Sequence, residues 1–123
     1  MKIKGKFKNG VITISNLKVE DGEYRYHFQF DVNISTYNVD YTYHFGEIMY
    51  SSMYDFIDNK LEYLVDENEI GNRLEKTKEY FAVKTHNDGC SSYIKMDFDM
   101  WEDQEKLADF LIELKAMCEM LIQ

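Results

Sequence analysis

Three sets of side chains in this sequence could carry chemistry, and their spacing says of what kind. The first lies in "YRYHFQFDVNI", Tyr24 to Ile34, where apolar residues alternate with Arg25, His27, Gln29, Asp31 and Asn33. His27 and His44, on strands expected to be neighbours, could hold two corners of a zinc or copper site. Further ligands would have to come from elsewhere, since His86 belongs to another loop. Solvated polar positions account for the pattern more simply, and no metal or other cofactor is assigned. The second set is "THNDGC", in which His86 could serve as base for Cys90. Nothing in the segment orients the imidazole, so a glycine-containing turn with a stray thiol is the better reading. A phosphate-cradling glycine loop, a G-x-S-x-G elbow, an H-E-x-x-H helix and a paired CxxC are all missing. No catalytic residue is assigned, and the chain reads as a protein that is not an enzyme.

The third set is made of carboxylates. On a helix predicted from Ser52, Asp55, Asp58, Glu62, Asp66 and Glu69 are spaced 3, 4, 4 and 3. At about 100° per residue they fall in one stripe opposite Met53, Ile57 and Leu64. On a final helix from about Glu102, the residues Glu102, Glu105, Asp109 and Glu113 are spaced 3, 4 and 4. They lie opposite Leu107, Phe110, Leu111, Leu114, Cys118 and Leu121. Consecutive carboxylates at these spacings repel, at roughly 0.2–0.5 kcal/mol per pair and about 1–3 kcal/mol over both helices. The helix dipole offsets part of this at Asp55 and Glu102 but not at Asp66 and Glu69. Acidic proteins with amphipathic helices produce such stripes by default; the functional alternative is an anionic docking surface. Tyr50, Tyr54, Tyr63 and Trp101 flank the stripes and are its expected anchors.

The elements that must position these residues follow from periodicity. Asn9-Gly10 in "KFKNGVITI" predicts a two-residue hairpin with positive φ at both turn positions. Ile12 and Ile14 share a face that Leu17 and Val19 do not, which calls for a bulge near Ser15-Asn16, and Asp21-Gly22 marks a turn. Tyr24 to Ile34 and Tyr37 to Phe45 are period-2 runs, expected to pair with Ile34 opposite Tyr37. That register sets Phe28 against Tyr43, Phe30 against Tyr41, His27 against His44 and Asp31 against Asp40. The two acids would repel, so a lysine strand is expected beside them.

Ser52 with Asp55 resembles a capping box for the first helix. "ENEIGNRLEKT" reads as a loop or short helix, and "KEYFAVKT" and "SSYIKMDFDM" as two strands joined at Asn87-Asp88-Gly89. The fold class is α+β: an antiparallel sheet of about six strands, order ββββαββα, with two helices on one face.

Length and charge bound the function. A chain of 123 residues is one domain, 1–123, large enough to bury a core unaided. The net charge of −9 and a pI of about 4.7 disfavour direct contact with nucleic acid or anionic lipid and favour a basic partner. No membrane span or leader stands out, and two cysteines without metal-ligand spacing suit a reducing cytoplasm, with Cys118 as a core residue. Lys2, Lys4, Lys6 and Lys8 project from one face of "MKIKGKFK", a usual protection for an edge strand and less simply a phosphate-binding surface.

In size, acidity and tyrosine content the chain loosely resembles phage anti-CRISPR-type inhibitors and bacterial toxin-immunity proteins. The latter often close on a late strand and a helix similar to "DQEKLADFLIEL". The resemblance implies an inhibitor or immunity factor whose carboxylates dock in a basic groove of an effector or toxin, including one that normally holds nucleic acid. It carries no individual functional residue across. Two other classes remain open: a small-ligand or nucleotide-binding domain using the polar sheet face around Arg25, His27, His44 and Lys4, and a structural subunit that pairs with its own copy.

Overall fold

The computed structural model describes residues 2–21 and 26–122. They form β1 (Lys2–Phe7), β2 (Gly10–Asp21), β3 (Tyr26–Thr36), β4 (Asp40–Met49), α1 (Tyr50–Ile57), β5 (Tyr63–Val65), β6 (Arg73–Lys76), β7 (Tyr80–Asn87), β8 (Cys90–Asp97) and α2 (Gln104–Ile122). The class is α+β as expected, but the strands divide into two four-stranded antiparallel sheets, β1-β2-β3-β4 and β5-β6-β7-β8. The expected single sheet of about six strands missed β5 and β6, which lie where a long helix and a loop were predicted. The Asp21-Gly22 turn and the places of Tyr24 and Arg25 lie outside the described residues.

In the first sheet the strands bury alternate residues except where a bulge resets the step. Ile3 and Phe7, Ile12 and Ile14, the run Phe28-Phe30-Val32-Ile34, and Phe45 and Ile48 all face inward. The β1–β2 hairpin forms, but its loop is Lys8-Asn9: Phe7 pairs with Gly10, and neither Asn9 nor Gly10 has positive φ. Gly10 is needed for another reason, because a Cβ there would collide with the Ser35 carbonyl oxygen of β3. The bulge forms as predicted between Ser15 and Lys18, with Asn16 in the left-handed region at φ 55°, and it returns Leu17 to the core.

The β3–β4 pairing is displaced by four residues from the expected register. Ile34 lies opposite Tyr41, Phe30 opposite Phe45, Asp31 opposite His44 and His27 opposite Met49. A shift of four keeps every side chain on its face, so alternation alone could not exclude it. The connection is longer than foreseen because Thr36 closes its own turn: its hydroxyl accepts from the Asn38 and Val39 amides, and its amide donates to the Val39 carbonyl at 2.7 Å. Further along β4 the register slips again between Phe28 and Phe30, which turns Ile48 inward.

Helix α1 ends at Ile57, far short of the predicted stripe. Asn59, at φ 62°, adopts the left-handed conformation that stops a helix. Its amide donates to the Phe56 carbonyl at 3.2 Å, and the Lys60 amide donates to Asp55 at 2.8 Å, which closes the last turn. The start has no side-chain cap, so the Ser52–Asp55 box does not form. In the second sheet the β7–β8 hairpin turns on Asp88 (φ 50°) and Gly89 (φ 81°), the paired positive-φ geometry that had been expected at Asn9-Gly10.

Both helices pack on the inner face of the first sheet, α2 against β1 and β2, and α1 against β3 and β4. Leu107, Phe110, Leu111, Leu114 and Cys118 of α2 enter one buried cluster that also takes Leu64, Leu74, Phe81, Val83 and Met96 from the second sheet. Phe110 comes so close to β1 that a Cβ on Gly5 would lie 2.9 Å from its ring. No described helix is long and apolar enough to cross a membrane.

Candidate functional site

The first predicted stripe is dispersed by the end of α1. Asp55 is half-buried, and Asp58 sits just past the helix, bonded to Lys115 of α2 at 2.9 Å. Glu62 is exposed, and Glu69 lies in a turn whose carbonyl accepts from the Asn72 amide at 2.8 Å. Asp66, only 2% exposed, accepts from the backbone amides of Gly46, Glu47 and Asn68 at 3.2, 3.2 and 3.0 Å. It fastens the β5–β6 turn to the β4 bulge and offers nothing to a partner. The expected anchors Tyr50 and Tyr54 are half-buried: Tyr50 stacks on Phe28 at 5.9 Å, and Tyr54 meets the same ring edge-on. Burial pushes the Tyr54 hydroxyl up to about 12. Tyr63 stays exposed, with the Arg73 guanidinium 5.6 Å from its ring centre.

The second stripe holds as a row. Glu105, Asp109 and Glu113 on α2, with Glu102 just before it, are all exposed. The turn leading into α2 is built by two aspartates. Asp99 accepts from the amides of Trp101 and Glu102 at 2.9 and 2.8 Å and from Lys8 Nζ at 3.1 Å. The backbone donors of Glu102 and Trp101, then Lys8, hold its carboxyl down at about 2. Fully buried Asp103 accepts from the amides of Asp99 (2.7 Å) and Lys8 (3.0 Å). Trp101 therefore rides on a fixed backbone with its side chain 94% exposed, beside Met100 at 54%.

The polar face of the first sheet does not set His27 opposite His44. His44 Nδ1 lies 2.6 Å from Asp31, while His27 lies 3.4 Å from Glu20. Burial raises the Asp31 carboxyl, but hydrogen bonds from Asn16 and His44 outweigh it and bring it below its ordinary value. Asp40 bonds Asn33 instead of facing Asp31, and the lysine strand β1 sits at the opposite edge of the sheet from β4. Lys4 and His44 are thus on opposite edge strands. Among the described residues no three His, Cys, Asp or Glu side chains group as a metal site. Cys90 is exposed and Cys118 buried, both as free thiols, and burial pushes Cys118 up to about 12. His86 bonds Ser91 at 2.8 Å.

One site escaped the sequence reading. Lys76, at the end of β6, is 3% exposed and lines a cavity of about 620 Å³ between α2 and the second sheet. Its Nζ donates to Asn59 Oδ1 at 2.6 Å and stands 4.8 Å from the centre of the Phe56 ring. Burial lowers its pKa from 10.5 to about 8, with Glu62 pulling weakly the other way. The clue was period 2 in "RLEK": once Arg73–Lys76 is a strand, Lys76 shares the inward face of Leu74. Asn59 serves twice, stopping α1 and presenting its oxygen to the lysine. No family model matches this sequence, and neither a curated protein nor a solved structure does.

Proposed function

We propose that this chain is a non-catalytic binding protein that inhibits a basic partner, docking through the outer face of α2 and anchored by Trp101. The observation that carries the reading is that indole, 94% exposed on a turn whose amides are held by Asp99. An aromatic side chain on ordered backbone loses little conformational freedom on docking, and tryptophan is enriched among residues that dominate interfaces. Glu102, Glu105, Asp109 and Glu113 extend from it along one helix face. Their potential would steer a lysine- or arginine-lined groove toward the anchor and speed association. With a net charge of −9 the chain repels nucleic acid, so the fitting occupant is a protein whose groove accepts polyanions. An effector or toxin held in the cytoplasm by an inhibitor or immunity factor has that chemistry. Asp66, Tyr50 and Tyr54 belong to the framework; Asp58, Glu62, Glu69 and Tyr63 are left as a separate exposed margin.

The test is capture from host lysate by the immobilised chain, by Trp101→Ala, by Glu105→Lys with Asp109→Lys, and by Lys4→Glu with Lys6→Glu. A basic protein should be retained at low salt by the wild type and the lysine-strand variant, released as salt rises, and lost from the other two. Retention by both α2-side variants, with loss from the lysine-strand variant, moves the interface to the sheet and overturns the reading.

A further inference from the structure

Among the described residues Lys76 is the sole buried cation, and none of the ion pairs includes it. An ammonium has three donors, and Asn59 Oδ1 takes one. The ring of Phe56 offers a favourable face but no counter-charge. A cation withdrawn from water without an anion is costly, and an anion brought to it relieves that cost. We propose that the cavity is a binding site for a small amphipathic carboxylate, with its carboxylate on Lys76 Nζ and its apolar tail along Leu107, Ala108 and Leu111 of α2.

The shape of the space fits such a ligand. At about 620 Å³ the cavity is within the size range of small-molecule sites. It shares Asn59, Ala108 and Leu111 with a second hollow of about 300 Å³, where Ile57 and Ile112 add apolar wall. Together they form a trough along α2 that begins at a charge and continues as hydrocarbon. At the rim Lys78 stands with Glu62 and Glu79, all three exposed and one negative charge in excess, and Asp58 is tied to Lys115 at the far end. Those rim charges are exposed and screened by solvent, whereas the buried charge of the cavity is that of Lys76, and it favours an anion. A single buried ammonium suits a monoanion rather than a polyphosphate. The site is separate from the outer face of α2 and does not rest on the docking function proposed for it.

The experiment compares decanoate, 1-decanol and decyltrimethylammonium by calorimetric titration and thermal shift, on the wild type and on Lys76→Met. Decanoate should raise the Tm and bind at least about tenfold more tightly than the alcohol, and the cation should not bind. In Lys76→Met the decanoate affinity should fall to that of the alcohol, while alcohol binding persists. Amide chemical-shift changes in the wild type should centre on Asn59, Lys76, Leu107 and Leu111. Equal affinity for acid and alcohol, unchanged decanoate binding in Lys76→Met, or shifts confined elsewhere overturn the proposal. If Lys76→Met does not fold, the wild-type ligand ranking and shift map decide it alone.

Discussion

Two acidic stretches of this chain, Asp55 to Glu69 and Glu102 to Glu113, have nearly the same spacing and opposite fates. In the second, α2 runs from Gln104 to Ile122 and keeps its carboxylates in one exposed row. In the first, Asn59 stops the helix after Ile57, and the five acids scatter. One lies half-buried on α1, one pairs with α2, one stands at a cavity mouth, one is buried as a fastener, and one caps a turn. The difference teaches that i, i+3, i+4 spacing reports a surface only where the helix persists. Lys76 is the counterpart: a charge that strand periodicity sends inward, where the acids of α2 are sent outward.

The largest expected effect tests the fastener against the row. Asp66→Asn leaves one oxygen for three backbone donors and should lower unfolding free energy by about 3 kcal/mol. Asp109→Asn should stay within about 0.5 kcal/mol. Urea unfolding of the two variants checks this, and equal costs would erase the contrast.

Next is the pH dependence that Lys76 imposes. Its native pKa of about 8 is depressed from 10.5, so between those values the unfolded chain binds more protons. The burial cost is present in full below pH 8 and disappears as pH rises toward 10.5, so this contribution increases stability with pH. Cys118 and Tyr54, both raised to about 12, act in the opposite direction at alkaline pH. They are common to wild type and Lys76→Met, so the difference between the two proteins isolates the lysine. The advantage of Lys76→Met should shrink by on the order of 2–3 kcal/mol from pH 7 to pH 10.5, measured by urea unfolding. A flat difference would mean that the amine is solvated.

The smallest effect concerns the row itself. Asp109→Lys turns two like-charge pairs, with Glu105 and Glu113, into attractive ones and should stabilise the chain by about 0.5–1 kcal/mol. The same substitution should weaken retention of a basic partner. A thermal melt beside the capture assay separates the two; destabilisation would show that Asp109 has a structural partner.

What the sequence determined by itself was everything set by local stereochemistry and parity. Alternation assigned the inward faces of β1 to β4, and the break between Ile14 and Leu17 located the bulge at Asn16. Helical spacing gave the buried face of α2 from Leu107 to Cys118. Asp88-Gly89 supplied the turn of the last hairpin. Only the tertiary structure decided the register of β3 on β4, because a four-residue slide conserves parity and is settled by the turn at Thr36 and by cross-strand packing. It also decided where α1 ends and that its continuation becomes β5, since Leu61 and Leu64 satisfy a helical period while Leu64 alone faces inward from a strand of three residues. And it enclosed Lys76: period 2 in Arg73–Lys76 gives the face, but that the segment is a strand, and that Asn59, Phe56 and α2 close around the lysine, is decided in three dimensions.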